Sequence, residues 1–342
     1  MRTIDLRSDT VTLPTKEMML SMMDAELGDD VSREDPTVNR LEELSAKCFG
    51  TEAALFTPSG TQSNLISVMV HCRRGDEMIV ESEAHIYYYE VGGMSAVAGV
   101  IPRLIRGNLG IFTPEQVVDA VRGDDLHFPP SKLVEIENTH NRAGGTVWTP
   151  KEVSAVSRSA HDLGMKVHID GARIFNAAVA LDVGVKEYAK DVDSISFCLS
   201  KGLSAPVGSI IVGGKEFIEK ARKTRKMLGG GMRQAGVIAA PGIVALTKMV
   251  GRLKEDHDNA RKLAIGLKSL GTFDVELRTV QTNIVLIDVS PLDMDSEQFV
   301  EKLKRNGILA ADFGGCIVRF VTHRGITSKD IDEAIGRIER LK

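Results

Sequence analysis

Residues 196–208 read SFCLSKGLSAPVG. An apolar run ends at Lys201, with Ser200 before it and Gly202, Ser204, Ala205 and Gly208 after it. A lysine that only keeps a surface soluble does not need such small neighbours. A lysine that must bond covalently to something bulky and flat does, because the small residues leave it room. The run itself, DSISFCLS, reads as a strand, and its relatives along the chain decide the fold.

Working outward, MKVHIDGAR (165–173), KLVEIENTH (132–140), DEMIVES (76–82) and EAALFTP (52–58) are further strand-like runs. GSIIVGG (208–214) is one more, turned back by the glycines around it. Helical segments separate them. PTVNRLEELSAKCFG (36–50) has Pro36 near its start, Leu41 and Leu44 on one face and Gly50 as its stop. SGTQSNLISVMVHC (59–72) and KEVSAVSRSAHDLG (151–164) are two more helices. Near-continuous Val, Ile and Leu strands alternating with helices predict a mostly parallel sheet flanked by helices, an α/β architecture. The composition changes near residue 246. A long amphipathic helix is expected from about Gly242 to Leu270, with Leu246, Val250, Leu253 and Leu263 apolar. Strand NIVLIDV, helix SEQFVEKLKRNG, strand CIVRFVTH and a last helix from Thr327 then predict a smaller α+β unit. The expected division is a large domain of residues 1–248, including an N-terminal arm, and a small C-terminal domain of 249–342.

Bulk properties narrow the function. The 342 residues, 43% hydrophobic and 26% charged, are ordinary for a soluble globular protein of about two domains. With 43 basic and 47 acidic residues the net charge is −4 and no like-charge block stands out, so neither nucleic acid nor an anionic membrane is expected as partner. The uncharged stretches VGGMSAVAGVIP and AGVIAAPGIVALT fall short of the roughly 18 apolar residues of a membrane span. The start MRTIDLRSDTVTLP lacks the apolar core of a signal peptide. Cys48, Cys72, Cys198 and Cys316 are scattered and form no metal-ligand pattern, which predicts free thiols, a cytoplasmic location and no metal site.

In open α/β sheets ligands lie beyond the carboxyl ends of the strands. Just past five strands stand Ser59-Gly60-Thr61, His85, Asn138 to Asn141, Asp170 with Arg173, and Lys201. Each has an ordinary reading. Ser59 and Thr61 can cap a helix. His85 can be a loop or core histidine, Asp170 a turn acid paired with Arg173, and Lys201 a solvated amine. Together they supply what pyridoxal 5'-phosphate requires: a lysine amine for covalent attachment, an acid against the pyridine nitrogen, a flat group on the ring face and a helix N-terminus for the phosphate. The first strand–helix turn, TPSGTQSN, lacks the G-x-G-x-x-G of a nicotinamide-binding fold.

LRSDTVT, EDPTVNRLE, ALFTPSGTQSN, EAHIYYYEVGG, HFP, IENTHN, HIDGARIFNA, SFCLSKGLSAPVGS and KMLGGGMRQAG together closely resemble the low-specificity L-threonine aldolases, in the aspartate-aminotransferase fold type (fold type I) of pyridoxal-phosphate enzymes. The resemblance runs over essentially the whole chain. It implies cleavage of L-threonine and L-allo-threonine to glycine and acetaldehyde, strict at Cα and loose at Cβ. It implies Lys201 as the Schiff-base lysine, Asp170 at the pyridine nitrogen, His85 on the ring, and Ser59, Gly60 and Thr61 at the phosphate. Arg173 is then expected near the ring hydroxyl and the substrate carboxylate, with Ser8 and Arg319 also on that carboxylate, and His127 near the substrate hydroxyl. Arg319 stands in an apolar strand, in phase with Ile317 and Val321; an edge salt bridge and a carboxylate fork are both open to it. The resemblance also implies sites shared between subunits, with Arg233 reaching a neighbour's phosphate, a homodimeric catalytic unit and a homotetramer. His85 and His127 both remain open as the base. Lys201 and Asp170 would equally serve another fold-type-I enzyme, an aminotransferase or a β-eliminating lyase. One departure stands out: this chain reads GDDVSREDP where family members commonly read GDDVYGEDP, so Ser32-Arg33 replaces Tyr-Gly, and Arg33 inherits a position where glycine's backbone freedom is expected to matter.

Overall fold

Ser194–Cys198, the run that leads to Lys201, is a strand with all five residues buried, as its apolar composition predicts. The computed structural model describes residues 2–341. Its strands are β1 (Ile4–Asp5), β2 (Ala53–Thr57), β3 (Glu77–Glu81), β4 (Ile101–Ile105), β5 (Ser131–Glu137), β6 (Lys166–Asp170), β7 (Ser194–Cys198), β8 (Ser209–Gly213), β9 (Ile284–Asp288), β10 (Ile308–Leu309), β11 (Ala311–Asp312) and β12 (Ile317–Val321). Seven form one sheet in the order β2-β8-β7-β6-β5-β3-β4. β8 is antiparallel to both neighbours, turned back as its flanking glycines predict. The remaining pairs are parallel, so β2, β3, β5, β6 and β7 all end at one edge of the sheet.

Helix boundaries follow the sequence signals. Helix Pro36–Phe49 starts behind Asp35, whose side chain accepts from the backbone N–H groups of Thr37 and Val38, and stops at Gly50 in the left-handed region. Strand β4 has no counterpart in the sequence reading. It is an edge strand with partly exposed residues and Pro102 inside it, so it lacks the continuous apolar run that marks the central strands.

The single long helix expected over 242–270 is two helices. Gly236–Val244 runs on into a π-helical turn at Ala245–Met249. After a break the chain resumes as Leu253–Ser269, bent by 68° from the first. A π-helical turn is a recognised cause of a sharp bend. Packing gives the bend a purpose: Met249 and Leu253 are buried in the core of the large sheet, whereas Ala260, Leu263 and Leu267 belong to a second core.

That second core is closed by the antiparallel sheet β11-β12-β9 and by helices Ser296–Arg305 and Ser328–Glu339. The N-terminal arm is built into it. β1 pairs in parallel with β10, and Ile4 and Leu6 are among its buried residues. This anchoring carries Ser8 and Asp9 across to the carboxyl edge of the large sheet.

Candidate active site

Lys201 sits in the tight connection between β7 and β8. The N–H groups of Leu199 and Ala205 donate to the carbonyls of Gly208 and Leu199, that of Ser204 donates to the Lys201 carbonyl, and the Thr12 hydroxyl of the arm donates there too at 3.0 Å. The small neighbours have separate reasons. A Cβ on Gly202 would come within 2.8 Å of Leu253, and one on Gly208 within 2.5 Å of the Phe56 ring. Gly202 is therefore small for packing against protein. Ser200, Pro206, Val207 and Gly208 do face the hollow beside Lys201.

Two hollows meet at Lys201 and His85. The first, about 320 Å³, is lined by Ser59, Gly60, Thr61, Asn64 and Asp170. Ser59 caps helix Gly60–His71, its hydroxyl accepting from the Gln62 N–H, so the turn presents a helix N-terminus, suited to an anion. A Cβ on Gly60 would lie 2.8 Å from Cys198 Sγ, so only glycine lets this turn lie so close to β7. Asp170 ends β6 and is 2% exposed. Its oxygens accept from the Ala172 N–H at 3.0 Å and from Asn64 Nδ2 at 2.8 Å. Burial alone would raise its pKa; the charges of His85 and Lys201 and these hydrogen bonds outweigh it, so Asp170 is held ionised. His85 follows β3. Its backbone N–H donates to Glu137, and its Nδ1 lies 3.0 Å from Glu90 Oε1. Burial opposes the imidazolium, but Glu90 and then Asp170 raise the pKa above the ordinary histidine value.

The second hollow, about 310 Å³, is lined by Ser8, Tyr89, Asn141, Arg173, Phe313 and Arg319. Arg173 pairs not with Asp170 but with Asp9, through Nε and Nη2, both at 2.7 Å. Burial would raise the Asp9 pKa; the Arg173 charge pulls it well below the usual carboxylate range. Arg319 projects from β12 on the face opposite the buried Val318 and Phe320. Nη1 donates to Asn141 Oδ1 at 2.7 Å and Nη2 to the Arg7 carbonyl at 3.2 Å, while buried Nε has no partner. Among the described residues no carboxylate pairs with it, so the edge salt bridge is not found. Burial, and then the Arg173 charge, push its pKa down to about 10. Two guanidinium groups thus flank one hollow, only one neutralised, an arrangement that favours an incoming carboxylate.

The structure therefore brings together Ser8, Ser59, Gly60, Thr61, His85, Asp170, Arg173, Lys201 and Arg319. It does not bring His127 or Arg233 to them. His127 lies on an exposed loop against Asp125. Arg233 is exposed and pairs with Asp29 at 2.8 Å. Arg33 has φ +61, the conformation its glycine-like place predicts, and its side chain pairs with Glu219. Asn64, Glu90 and Asp9 were missed in the sequence, whereas Asn141 stood among the amides expected past β5. Each lies within a few residues of an identified one, but only the fold shows which side chain it meets.

The first hollow fits a phosphorylated pyridine aldehyde. It offers an amine, an ionised acid buried behind the ring's place, an imidazole and a helix N-terminus. Fold and site together define a pyridoxal-phosphate enzyme of the aspartate-aminotransferase fold type. Residues 5–290 match the beta-eliminating lyase family. The chain is 46% identical to a probable low-specificity L-threonine aldolase 2 of Arabidopsis thaliana, over 99% of this chain and 97% of that one. It is 41% identical to the low specificity L-threonine aldolase of Escherichia coli K12, over 96% of each. A solved structure of a Leishmania major threonine aldolase superposes with TM-score 0.84 at 19% identity, over 99% of both chains, which bears on the fold alone. The chain belongs to the beta-eliminating lyase family, among its low-specificity L-threonine aldolases.

Proposed function

We propose that this protein is a pyridoxal-phosphate-dependent lyase that cleaves L-threonine and L-allo-threonine to glycine and acetaldehyde. The observation that carries the reading is that the two hollows share Lys201 and His85, one suited to the cofactor and the other to an amino-acid carboxylate. When bound, the cofactor draws electrons from the bond that breaks, and a protonated ring nitrogen strengthens that pull. Asp170, held ionised, would keep that nitrogen protonated. Lys201 would supply the amine that holds the cofactor. Ser59, Gly60 and Thr61 would hold its phosphate. Arg173, Arg319 and Ser8 hold the carboxylate and thereby orient the Cα–Cβ bond. His85, or a water it holds, takes the β-hydroxyl proton; Glu90 at Nδ1 fixes the ring's orientation. His127, on an exposed loop against Asp125, stands as the alternative base. An aminotransferase or β-eliminating lyase is the competing reading, and it would form no glycine.

Three fixed points make the site strict at Cα: the amine, the carboxylate and the aligned bond. A D-substrate places hydrogen or carboxylate where the breaking bond belongs, and a misplacement of about 1 Å can cost ~100-fold in rate. At Cβ a methyl-sized difference is worth only about 1–3 kcal/mol. Acetaldehyde release from all four threonine stereoisomers should therefore be found with both L forms, the allo form faster, and not usefully with D-threonine. Comparable D and L rates would refute the fixed placement, and cleavage of one L diastereomer alone would refute the loose β-site.

The same reading includes a two-unit division near residue 248, a cytoplasmic location, and a homodimer whose sites are shared, assembling to a tetramer. Arg233 stands outside the hollows of its own chain, exposed and held by Asp29, where it is open to a neighbour's phosphate. Apolar side chains on the helix Lys16–Met23 and after it are exposed, with Met23 at 81% and Leu27 at 49%, a surface suited to burial against a second copy. Activity should fall on dilution as the oligomer dissociates in sedimentation. Full activity from a dilute monomer would exclude the shared site.

A further inference from the structure

A line of buried polar groups runs from behind Asp170 through the sheet. Asn64 Nδ2 donates to Asp170 Oδ2 at 2.8 Å and to Glu90 Oε1 at 2.9 Å. Asn64 Oδ1 accepts from Ser196 Oγ at 2.8 Å and lies 3.3 Å from His168 Nε2. His168 Nδ1 is 2.9 Å from Ser194 Oγ, which is 2.7 Å from His71 Nε2. His168 is wholly buried, and Asn64, Ser194, Ser196 and Asp170 are each at most 2% exposed.

Donor and acceptor chemistry gives this line one direction. Two carboxyl groups face one end of the Asn64 amide, so that end must be the NH2. The amide oxygen then faces His168, which must donate from Nε2. In an uncharged ring Nδ1 accepts a hydrogen bond from the Ser194 hydroxyl, and Ser194 Oγ in turn accepts from His71 Nε2–H. We propose that His168 is a positioning residue for Asp170: as a neutral Nε2–H tautomer, held by Ser194 and His71, it locks the Asn64 amide so that its N–H donates to the acid's carboxylate. This extends to the ring-facing acid the support usually given to the ligands of a site, where an outer donor fixes the tautomer and orientation of an inner group.

The surroundings keep both rings uncharged. Burial is the main cause that pushes the pKa of His168 down to about 4 and of His71 to about 3. The charged or titratable groups facing them are Asp170 on β6, Glu135 on β5 opposite His168, Glu90, and Asp193 and Lys166 near His71. Glu135 is itself buried, and burial, with the neighbouring Asp170 carboxylate, raises its pKa well above the usual carboxyl range.

The proposal rests on the cofactor reading of Asp170. Its test uses two variants and the unaltered protein freed of cofactor. His168→Leu removes the donor; His168→Gln keeps an N–H that reaches Asn64. The leucine variant should bind pyridoxal phosphate about 5- to 10-fold more weakly, the effect of one buried hydrogen bond. The pH at which bound cofactor changes its absorption should shift, and kcat should fall with KM little changed. The glutamine variant should recover most of each. Nitrogen-15 histidine spectra of the cofactor-free protein should show His168 as the Nε2–H tautomer at neutral pH. An Nδ1–H or charged His168, or a leucine variant with unchanged affinity and pH response, would overturn the proposal. A glutamine variant as impaired as a folded leucine variant would overturn it too. If the leucine variant does not fold, the glutamine variant and the tautomer decide. Failure of the unaltered chain to bind pyridoxal phosphate would sink the cofactor reading instead, with the tautomer still testing the locked amide.

Discussion

Asp170→Asn should bind pyridoxal phosphate yet lose threonine cleavage by on the order of 10–10³-fold in kcat. The amide fits the same space and its one oxygen can still accept from Asn64, at the cost of turning its NH2 toward the Ala172 N–H. What it cannot do is favour a positive charge on the ring nitrogen. An opposite charge in contact shifts a pKa by about 1–3 units, and each unit is worth about 1.36 kcal/mol. The electron sink weakens by that order. The measurement is a paired one, cofactor content by absorbance and acetaldehyde release by a coupled assay. Near-normal turnover would leave Asp170 only a structural role.

Arg319→Leu should have the second large effect, with the opposite sign on stability. Arg319 has a buried Nε without a partner and a pKa pushed down to about 10. A half-buried charge awaiting its counterion costs stability in the free protein, and replacing it by an apolar side chain removes that cost. Leucine also loses the hydrogen bond to Asn141 Oδ1, which part-offsets the gain. The thermal midpoint should therefore hold or rise. Losing one partner of a buried charge pair costs about 3–5 kcal/mol, so kcat/KM should fall by about 10²–10⁴-fold, mainly through KM. Affinity for pyridoxal phosphate should change little, because Arg319 lines only the second hollow. A variant with unaltered KM would remove Arg319 from the carboxylate site.

How far the sequence could be read follows physical lines. β7 and β8 were legible because they are wholly buried strands, which must be continuously apolar. β4 was not, because its exposed residues break that pattern. The bend at residues 250–252 was hidden because the apolar period continues through it while its two halves turn to different cores. At the site, residues just past strand ends were legible because strand direction alone sends them to one edge. Asp170, His85 and Lys201 are of this kind. The pairing of Arg173 with Asp9 was not, since 164 residues separate them and only the arm's attachment at β1 and β10 brings them together. The same limit applies to Asn64, whose helix position was clear but whose amide meets groups from β6 and β7.

Borohydride reduction of the pyridoxal-phosphate-loaded protein, followed by peptide mass mapping, tests the central claim most directly. Lys201 is the only lysine lining the hollow that also holds Asp170 and the Ser59–Thr61 turn, among the described residues. The pyridoxyl group should therefore be found on the peptide that contains Lys201 and on no other. Labelling of a different lysine, or of none, would contradict the account.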